Sequence, residues 1–139
     1  MAERRKACAT SPAGRPTPNS MVLVDTAIWV SHLKKGDARL KTLLEDGEVL
    51  CHPFIIGELA CGNLKNRDEI LSLLKALPQA KVAGHDEVME FIEIHSLAGA
   101  GLGYVDVHLL ASALLSKSTL WTTDRSLSAA AKNLGVGYE

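Results

Sequence analysis

The sequence lacks most of the features that mark specialised classes of small protein. Its three cysteines, in a chain of 139 residues, are an odd number, which suits a reducing compartment better than a disulfide framework. No apolar run approaches the roughly 20 residues of a membrane-spanning helix. No apolar segment follows the basic residues 4–6, so a secretory signal is not indicated. These absences favour a single globular domain in the cytoplasm, with no membrane partner.

The chain also lacks a large excess of either charge, because its formal net charge is −1. Residues 1–20 have a net charge of +3, which leaves −4 on residues 21–139. Proteins that hold long duplex DNA are usually basic, so the acidic body favours carboxylates that bind metal, or a basic protein partner. Aromatic residues make up only 4% of the chain, so base stacking is not indicated, and Trp29 and Trp121 are expected in the core.

The chain divides into two segments of different pattern. Residues 1–20 show no apolar periodicity and have too few apolar side chains to offset the entropy of ordering them. We expect a flexible, disordered leader there, either natural or left from cloning. Residues 21–139 are expected to form the globular domain.

Within that domain, apolar runs alternate with segments of helical periodicity. Residues 21–24 are apolar and rich in β-branched side chains, as in a strand buried on both faces. Further strands are expected at 48–51, 81–83, 119–122 and from 136. Helices are expected at 27–35, 37–46, 53–61, 66–77, 85–97, 104–116 and 126–133. Helical connections imply parallel strands, so the pattern predicts an α/β fold, a three-layer α/β/α sandwich with a central, mostly parallel sheet of four or five strands.

Two aspartates directly follow predicted strands. Asp25 comes after the first strand and Asp124 after the strand at 119–122, and ligands of parallel sheets bind beyond the carboxyl ends of the strands. Each aspartate also suits the N-cap of the helix that follows it. Asp106 stands in the first turn of an apolar helix, where the helix dipole favours a negative charge for structural reasons alone. Each of these acids, taken singly, therefore has a structural explanation.

Glu58 is harder to explain by structure alone. It stands in the middle of a predicted helix among apolar or small neighbours, with no lysine or arginine three or four residues away. A carboxylate in such a setting is unfavourable unless it has a partner or reaches an opening. Exposure on a narrow polar stripe is the alternative.

A parallel sheet can bring these four acids to one rim, where their mutual repulsion would require a cation. Oxygen ligands suit Mg²⁺ or Mn²⁺ better than zinc. Such an ion activates water and stabilises charge on a phosphate group. The pattern therefore indicates metal-dependent chemistry on a phosphate ester.

The same segments resemble the PIN-domain family, and within it toxins of the VapC type. The similarity covers residues 21–138 and is carried by four segments in order: 22–29 (VLVDTAIW), 56–59 (IGEL), 104–113 (YVDVHLLASA) and 120–125 (LWTTDR). In the family these segments hold the first acid, the glutamate, the third acid and a Thr-x-Asp. Each segment is weakly specific alone, but the four in this order are fairly specific.

This resemblance implies a metal-dependent RNA endonuclease (a hydrolase) that acts as the toxin of a type II toxin–antitoxin pair. The metal, Mg²⁺ or Mn²⁺, is implied to bind the catalytic acids Asp25, Glu58, Asp106 and Asp124. Thr122 is implied as a supporting polar group. Thr26 suits either the same role or a helix start.

The resemblance also implies partners. These are an RNA substrate, a second copy of the chain in a homodimer, and a small antitoxin whose helix or tail blocks the acidic site. An arginine of that tail would match the carboxylates in charge. The apolar helices at 70–77 and 86–97 are candidate contact surfaces, although their apolar faces are also explained as core.

The chain departs from the family pattern in two places. Some members carry a further acid shortly after the Thr-x-Asp, but residues 126–128 hold none, which puts a second metal position in doubt. The leader is also unusual, because the first strand normally begins close to the initiator methionine.

Other interpretations fit less well. A non-catalytic PIN-like module that binds RNA or protein stays open, although the retention of all four acids argues against it. An aspartyl phosphatase would carry a second aspartate where Ala27 stands, and a dinucleotide-binding fold would have a glycine-rich turn at residues 25–27. A receiver domain would have a lysine in place of Asp124.

A few further residues are candidates for binding. The basic side chains that are candidates for RNA contact are Lys34, Lys35, Lys65, Arg67 and Arg125. Arg125 is the best placed, because it is adjacent to Asp124. Zinc binding by Cys51, His52 and Cys61 is disfavoured, because their spacing matches no standard zinc pattern.

Overall fold

A computed structural model of the protein describes residues 20–139. Its elements are β1 (Val22–Val24), α1 (Thr26–Lys35), α2 (Ala38–Glu45), β2 (Val49–Leu50), α3 (Pro53–Ala60), α4 (Arg67–Ala76), α5 (His85–Ile94), α6 (Tyr104–Ser116), β3 (Thr119–Trp121) and α7 (Arg125–Asn133). Every predicted helix is present, with ends within a few residues of those expected. The predicted leader lies outside the described residues except for Ser20, so it stays a prediction.

The sheet is parallel, with β1 between β2 and β3. Val22 pairs with Val49 on one side and with Thr119 on the other. This arrangement confirms the predicted α/β fold with a parallel central sheet. It also places the carboxyl ends of β1 and β3, and the acids that follow them, side by side.

The described residues contain three strands rather than the four or five expected. The segments near 81–83 and 136 do not form strands, and the sheet is extended by single bridges at Cys51–Gln79 and Leu120–Gly137 instead. At one edge the Lys81 backbone N–H donates to Ser116 Oγ at 2.9 Å rather than to β2. At the other edge one residue of β3, Leu120, makes both backbone hydrogen bonds to the final segment. The edge segments therefore leave the sheet after a single pairing.

The core lies on both faces of β1, where all three residues are buried. The centre of α6 is also buried along residues 107–113, because that helix is apolar on nearly every face and lies between α5, α7 and β3. Trp29 is buried as predicted. Trp121 is only half-buried: its ring contacts that of Tyr138, and the Arg39 guanidinium lies 5.9 Å above it. In residues 20–139, no helix combines the length and the apolar character needed to cross a bilayer.

His52 is a buried structural residue, fully excluded from solvent at the N-cap of α3. Its Nδ1 accepts the Phe54 backbone N–H at 3.0 Å, and its Nε2 lies 3.0 Å from Ser112 Oγ. Because Nδ1 is an acceptor, Nε2 carries the proton and donates to Ser112. Burial, with a smaller contribution from the nearby His108, lowers the pKa of His52 to about 4, so the ring is neutral at physiological pH.

This environment also accounts for the Cys51–His52 pair. Both ring nitrogens of His52 are already hydrogen-bonded, and burial raises the pKa of the Cys51 thiol to about 11. Zinc requires a thiolate and a free imidazole nitrogen. The pair therefore belongs to the core.

Candidate metal centre

A cleft of about 480 Å³ opens where β1 and β3 end. Its lining comes from the residues after the two strands and from the first turns and centres of neighbouring helices: Asp25, Thr26, Ala27, Glu58, Val105, Asp106, Thr123 and Asp124. The fold thus gathers all four of the acids singled out in the sequence. They come from the starts of α1, α6 and α7 and from the middle of α3.

Asp25 is held on both carboxylate oxygens. Its Oδ1 accepts the Thr26 backbone N–H at 2.7 Å, and its Oδ2 accepts the Thr122 hydroxyl at 2.7 Å. Thr122 in turn accepts the Asp124 backbone N–H at 3.1 Å. The pairing of Val24 with Trp121 brings these residues together. Thr122 therefore fixes the two strand-end acids relative to each other.

Glu58 is exposed at the cleft rather than buried in the core. Its Oε1 accepts the Thr26 hydroxyl at 2.6 Å, and α3 packs against α1. Thr26 is at once the first residue of α1 and a hydroxyl donor to an acid, so both roles expected for it are present. The helix thus presents Glu58 at an opening, which removes the cost of burying its charge.

Asp106 and Asp124 each accept a backbone N–H at a helix start. Gly103 donates to Asp106 Oδ2 at 3.0 Å, and Leu127 donates to Asp124 Oδ1 at 2.9 Å. The structural roles expected of these two acids, an N-cap for Asp124 and a place in the first helical turn for Asp106, therefore coexist with their place in the cleft. Helix starts carry partial positive charge, which stabilises the ionised carboxylates.

The donor set fits a hard divalent cation. Within residues 20–139, Glu58 Oε2, Asp106 Oδ1 and Asp124 Oδ2 make no hydrogen bond, so each remains available as an oxygen ligand. No histidine, cysteine, lysine or arginine of the described residues lines this cleft. Such an all-oxygen, acidic set suits Mg²⁺ or Mn²⁺.

The acids do not yet converge on one point. No group of three acidic, histidine or cysteine side chains among residues 20–139 is close enough to hold an ion as placed. The hydrogen bonds above turn each carboxylate toward its own backbone or threonine donor, as expected for like charges that repel one another. Side-chain rotations would be needed to bring their remaining oxygens around a cation.

The candidate RNA-contacting cations differ in where they lie relative to the acidic cleft. Lys34, Lys35, Lys65 and Arg67 are all exposed, and Arg67 donates to the Gly62 carbonyl. Of the five candidates, only Arg125 lines a groove beside the acidic cleft. It is the first residue of α7 and directly follows Asp124.

The Gly103 backbone N–H, which positions Asp106, was not predicted from the sequence. The signal was present in the sequence, because an acid three residues after a helix N-cap commonly bonds back to the cap. It was overlooked because the cap residue, a glycine, has no side chain to mark it.

Thr122→Val is expected to lower metal affinity or RNA cleavage by about ten- to a hundredfold, the usual effect of removing a group that orients a metal ligand. The change removes the hydroxyl that joins Asp25 to Asp124 while keeping a β-branched shape. Mn²⁺ binding by calorimetry and the cleavage rate measure it. Thr119→Val on the same strand is the matched control, because the Thr119 hydroxyl bonds only the Met21 carbonyl, at 3.5 Å. Equal effects of the two substitutions would contradict an orienting role for Thr122.

Comparisons with known proteins agree with this fold and show the family. The PIN domain profile matches residues 22–133. The chain is 50% identical over 117 residues to Ribonuclease VapC32 from two strains of Mycobacterium tuberculosis, CDC 1551 / Oshkosh and H37Rv; the match covers 84% of this chain and 94% of that protein. The crystal structure of PAE2754 from Pyrobaculum aerophilum has a similar fold, with a TM-score of 0.54 at 19% identity over 79% of this chain and 78% of that one. The chain therefore belongs to the PIN-domain family, and within it to the VapC-like proteins.

Proposed function

We propose that this protein is a Mg²⁺- or Mn²⁺-dependent endoribonuclease that acts as the toxin of a type II toxin–antitoxin pair. The observation that carries the proposal is the gathering of Asp25, Glu58, Asp106 and Asp124 around one cleft that no basic side chain of the described residues lines. The 50% identity to a protein named as a ribonuclease supports RNA as the substrate.

The four acids would hold the divalent ion, which when bound lowers the pKa of a water molecule and offsets the charge on the reacting phosphate. The protein's own part is to hold these carboxylates in place at the cleft. Backbone N–H groups at three helix starts and two threonine hydroxyls do this. Those donors hold the carboxylates at the cleft before ion and substrate bind, so that only their remaining oxygens have to turn toward the ion.

In this mechanism no side chain acts as the nucleophile. The cleft lining offers no histidine, cysteine or serine among the described residues, and of its two threonines, Thr26 and Thr123, the first donates its hydroxyl to Glu58. An acid without a hydrogen bond on one oxygen, such as Glu58 or Asp106, is suited to accept a proton from the attacking water. The acidic surface would repel an RNA phosphate without a cation, so cleavage and RNA binding at the cleft should both depend on the metal.

The proposal includes an antitoxin partner and a homodimer, located in the cytoplasm. An arginine of the antitoxin would pair with the carboxylates of the cleft. The two candidate surfaces for the antitoxin are the helices at 70–77 and 86–97, and most of their apolar side chains pack inward. The exceptions are Leu73 in α4, which is 59% exposed, and Met89 and Ile94 in α5, which are 47% and 67% exposed. Those side chains are what either helix offers a protein partner.

The test is cleavage of a mixed panel of RNAs by the purified protein. Activity should be present with Mg²⁺ or Mn²⁺, disappear with EDTA and return when the metal is restored. Calorimetry should show Mn²⁺ binding to the native protein. Absence of both cleavage and Mn²⁺ binding would overturn the proposal and favour a non-catalytic PIN-like module that binds RNA or protein.

A further inference from the structure

A second groove of about 420 Å³ lies beside the acidic cleft, between the end of α5 and α7. We refer to it as the α5–α7 groove. Its polar lining is His95, Ser96, Arg125, Ser126 and Asn133, and its apolar lining is Leu97, Ala100, Ala129, Ala130 and Leu134. Its volume is within the range of sites that hold one small molecule or one nucleotide-sized group, roughly 300–1,000 Å³.

The groove and the cleft have opposite charge. The cleft is lined by four carboxylates and the groove by none, whereas the groove is lined by the Arg125 guanidinium. Within residues 20–139, Arg125 makes no hydrogen bond or ion pair, so its guanidinium is available to a ligand. Asp124 and Arg125 are adjacent in sequence, so the two sites meet at the start of α7.

One glycine-rich loop forms a boundary of both sites. Ala100 lines the groove, and Gly103, at the other end of the loop, donates to Asp106 in the cleft. Between them, Gly101 has a φ of +81°, and a Cβ atom there would lie 2.8 Å from Ser126 Oγ. The loop therefore packs directly on the first turn of α7, where Arg125 stands, and a ligand could contact both sites at once.

We propose that the α5–α7 groove binds the nucleotide next to the cleaved phosphate of a single-stranded RNA substrate, with Arg125 contacting the RNA backbone. This inference rests on the proposed ribonuclease function. A phosphate at the acidic cleft needs a cation there, and the phosphate beside it needs its own positive partner, which Arg125 supplies. The apolar floor suits the face of an unstacked base, and the serine and asparagine side chains suit its edges.

The test measures binding of fluorescein-labelled 12-nucleotide RNAs, one oligouridylate and one of mixed sequence, by anisotropy with Mg²⁺ present. The protein carries Asp106→Asn so that the RNA stays intact. Adding Arg125→Ala should weaken binding about tenfold, and should reduce the slope of log K against log salt by about 0.7, the value for one lost phosphate contact on a single strand. Arg125→Lys should keep most of the salt slope.

Two further variants separate the groove from general charge effects. Ala129→Trp, at an exposed position of the lining, should fill the groove and weaken binding with no change in salt slope. Lys132→Ala on the same helix removes an equal charge outside the groove lining, and should bind like its parent. The proposal would be overturned if Arg125→Ala and Ala129→Trp bound the RNA as tightly as Lys132→Ala does. The groove would then be left as a site for a protein partner.

Failure of the groove and failure of the ribonuclease function give different results. With Asp106 intact, Arg125→Ala should raise KM about tenfold and leave kcat within about twofold, because the contact is made before and during the reaction alike. Metal-dependent cleavage with an unchanged KM in both groove variants overturns the groove alone. No cleavage by the native protein, together with Arg125-dependent binding, overturns the nuclease function and leaves RNA binding in the groove supported.

Discussion

Asp106→Asn is expected to lower kcat/KM for RNA cleavage about a thousandfold, since Asp106 is proposed as a metal ligand and the loss of a charged ligand forfeits several kcal/mol of transition-state stabilisation. The fold should be retained. An asparagine oxygen can still accept the Gly103 backbone N–H, which the aspartate accepts at 3.0 Å, so α6 keeps its start. Only the negative charge toward the cleft is lost. Initial rates with Mn²⁺, and a melting temperature within a few degrees of native, measure the two parts of the prediction.

The control for this substitution is Asp86→Asn. Asp86 stands in the first turn of α5, as Asp106 does in α6, but it does not line the cleft. It should keep native activity when it is purified in parallel. Residual activity in Asp106→Asn at the native level would indicate a contaminating ribonuclease or an acid without a catalytic role, and would contradict the assignment of Asp106.

Acidification is expected to destabilise the protein through His52 by roughly 3 kcal/mol between pH 6.5 and pH 4. The pKa of His52 is lowered from 6.5 to about 4 in the folded protein. Between these values the unfolded chain binds a proton that the folded protein does not. The free energy of unfolding therefore falls as pH falls, and the loss from this residue is complete near pH 4.

His52→Asn separates this effect from the titration of other groups. Asparagine is a favourable N-cap residue and can still accept the Phe54 backbone N–H, but it does not titrate. The variant should be less stable than native at pH 7, because its bond to Ser112 is lost, and should depend less on pH between 6.5 and 4. Urea unfolding at several pH values measures the slope. His95→Asn removes an exposed histidine in the same way and is purified and unfolded in parallel as the comparison. An unchanged slope in His52→Asn would show that other groups cause the acid sensitivity.

The helices could be predicted from the sequence because their signals are local. Asp37 accepts the Leu40 backbone N–H as the N-cap of α2, and Pro53 is the first residue of α3. The outer strands could not be predicted as well. Whether the Lys81 backbone pairs with β2 or bonds to Ser116 depends on where α6 packs. A three-residue apolar pattern in the sequence does not indicate the position of α6.

The strand-end rule identified Asp25 and Asp124 because it follows from topology: parallel neighbouring strands end at the same edge. The exposure of Glu58 was not predictable in the same way. Its neighbours in sequence are apolar, but its solvent contact depends on how α3 packs against α1. The N-cap role of His52 was predictable, since a proline at the first helical position makes the preceding residue the cap. The adjacent cysteine suggested a metal site instead.

The pairing of β1 with β3 also has a consequence for how the protein is made. The hydrogen bond from Thr122 to Asp25 joins residues 97 positions apart, and the paired residues of β1 and β3 beside it are separated by the same number of positions. Contacts so distant in sequence form late and slow the folding of a domain. A nascent chain still lacking β3 also lacks Asp124 and the hydroxyl that orients Asp25. The proposed nuclease is therefore inactive throughout most of its own synthesis. Its acidic centre can be complete only after β3 and Asp124 have left the ribosome.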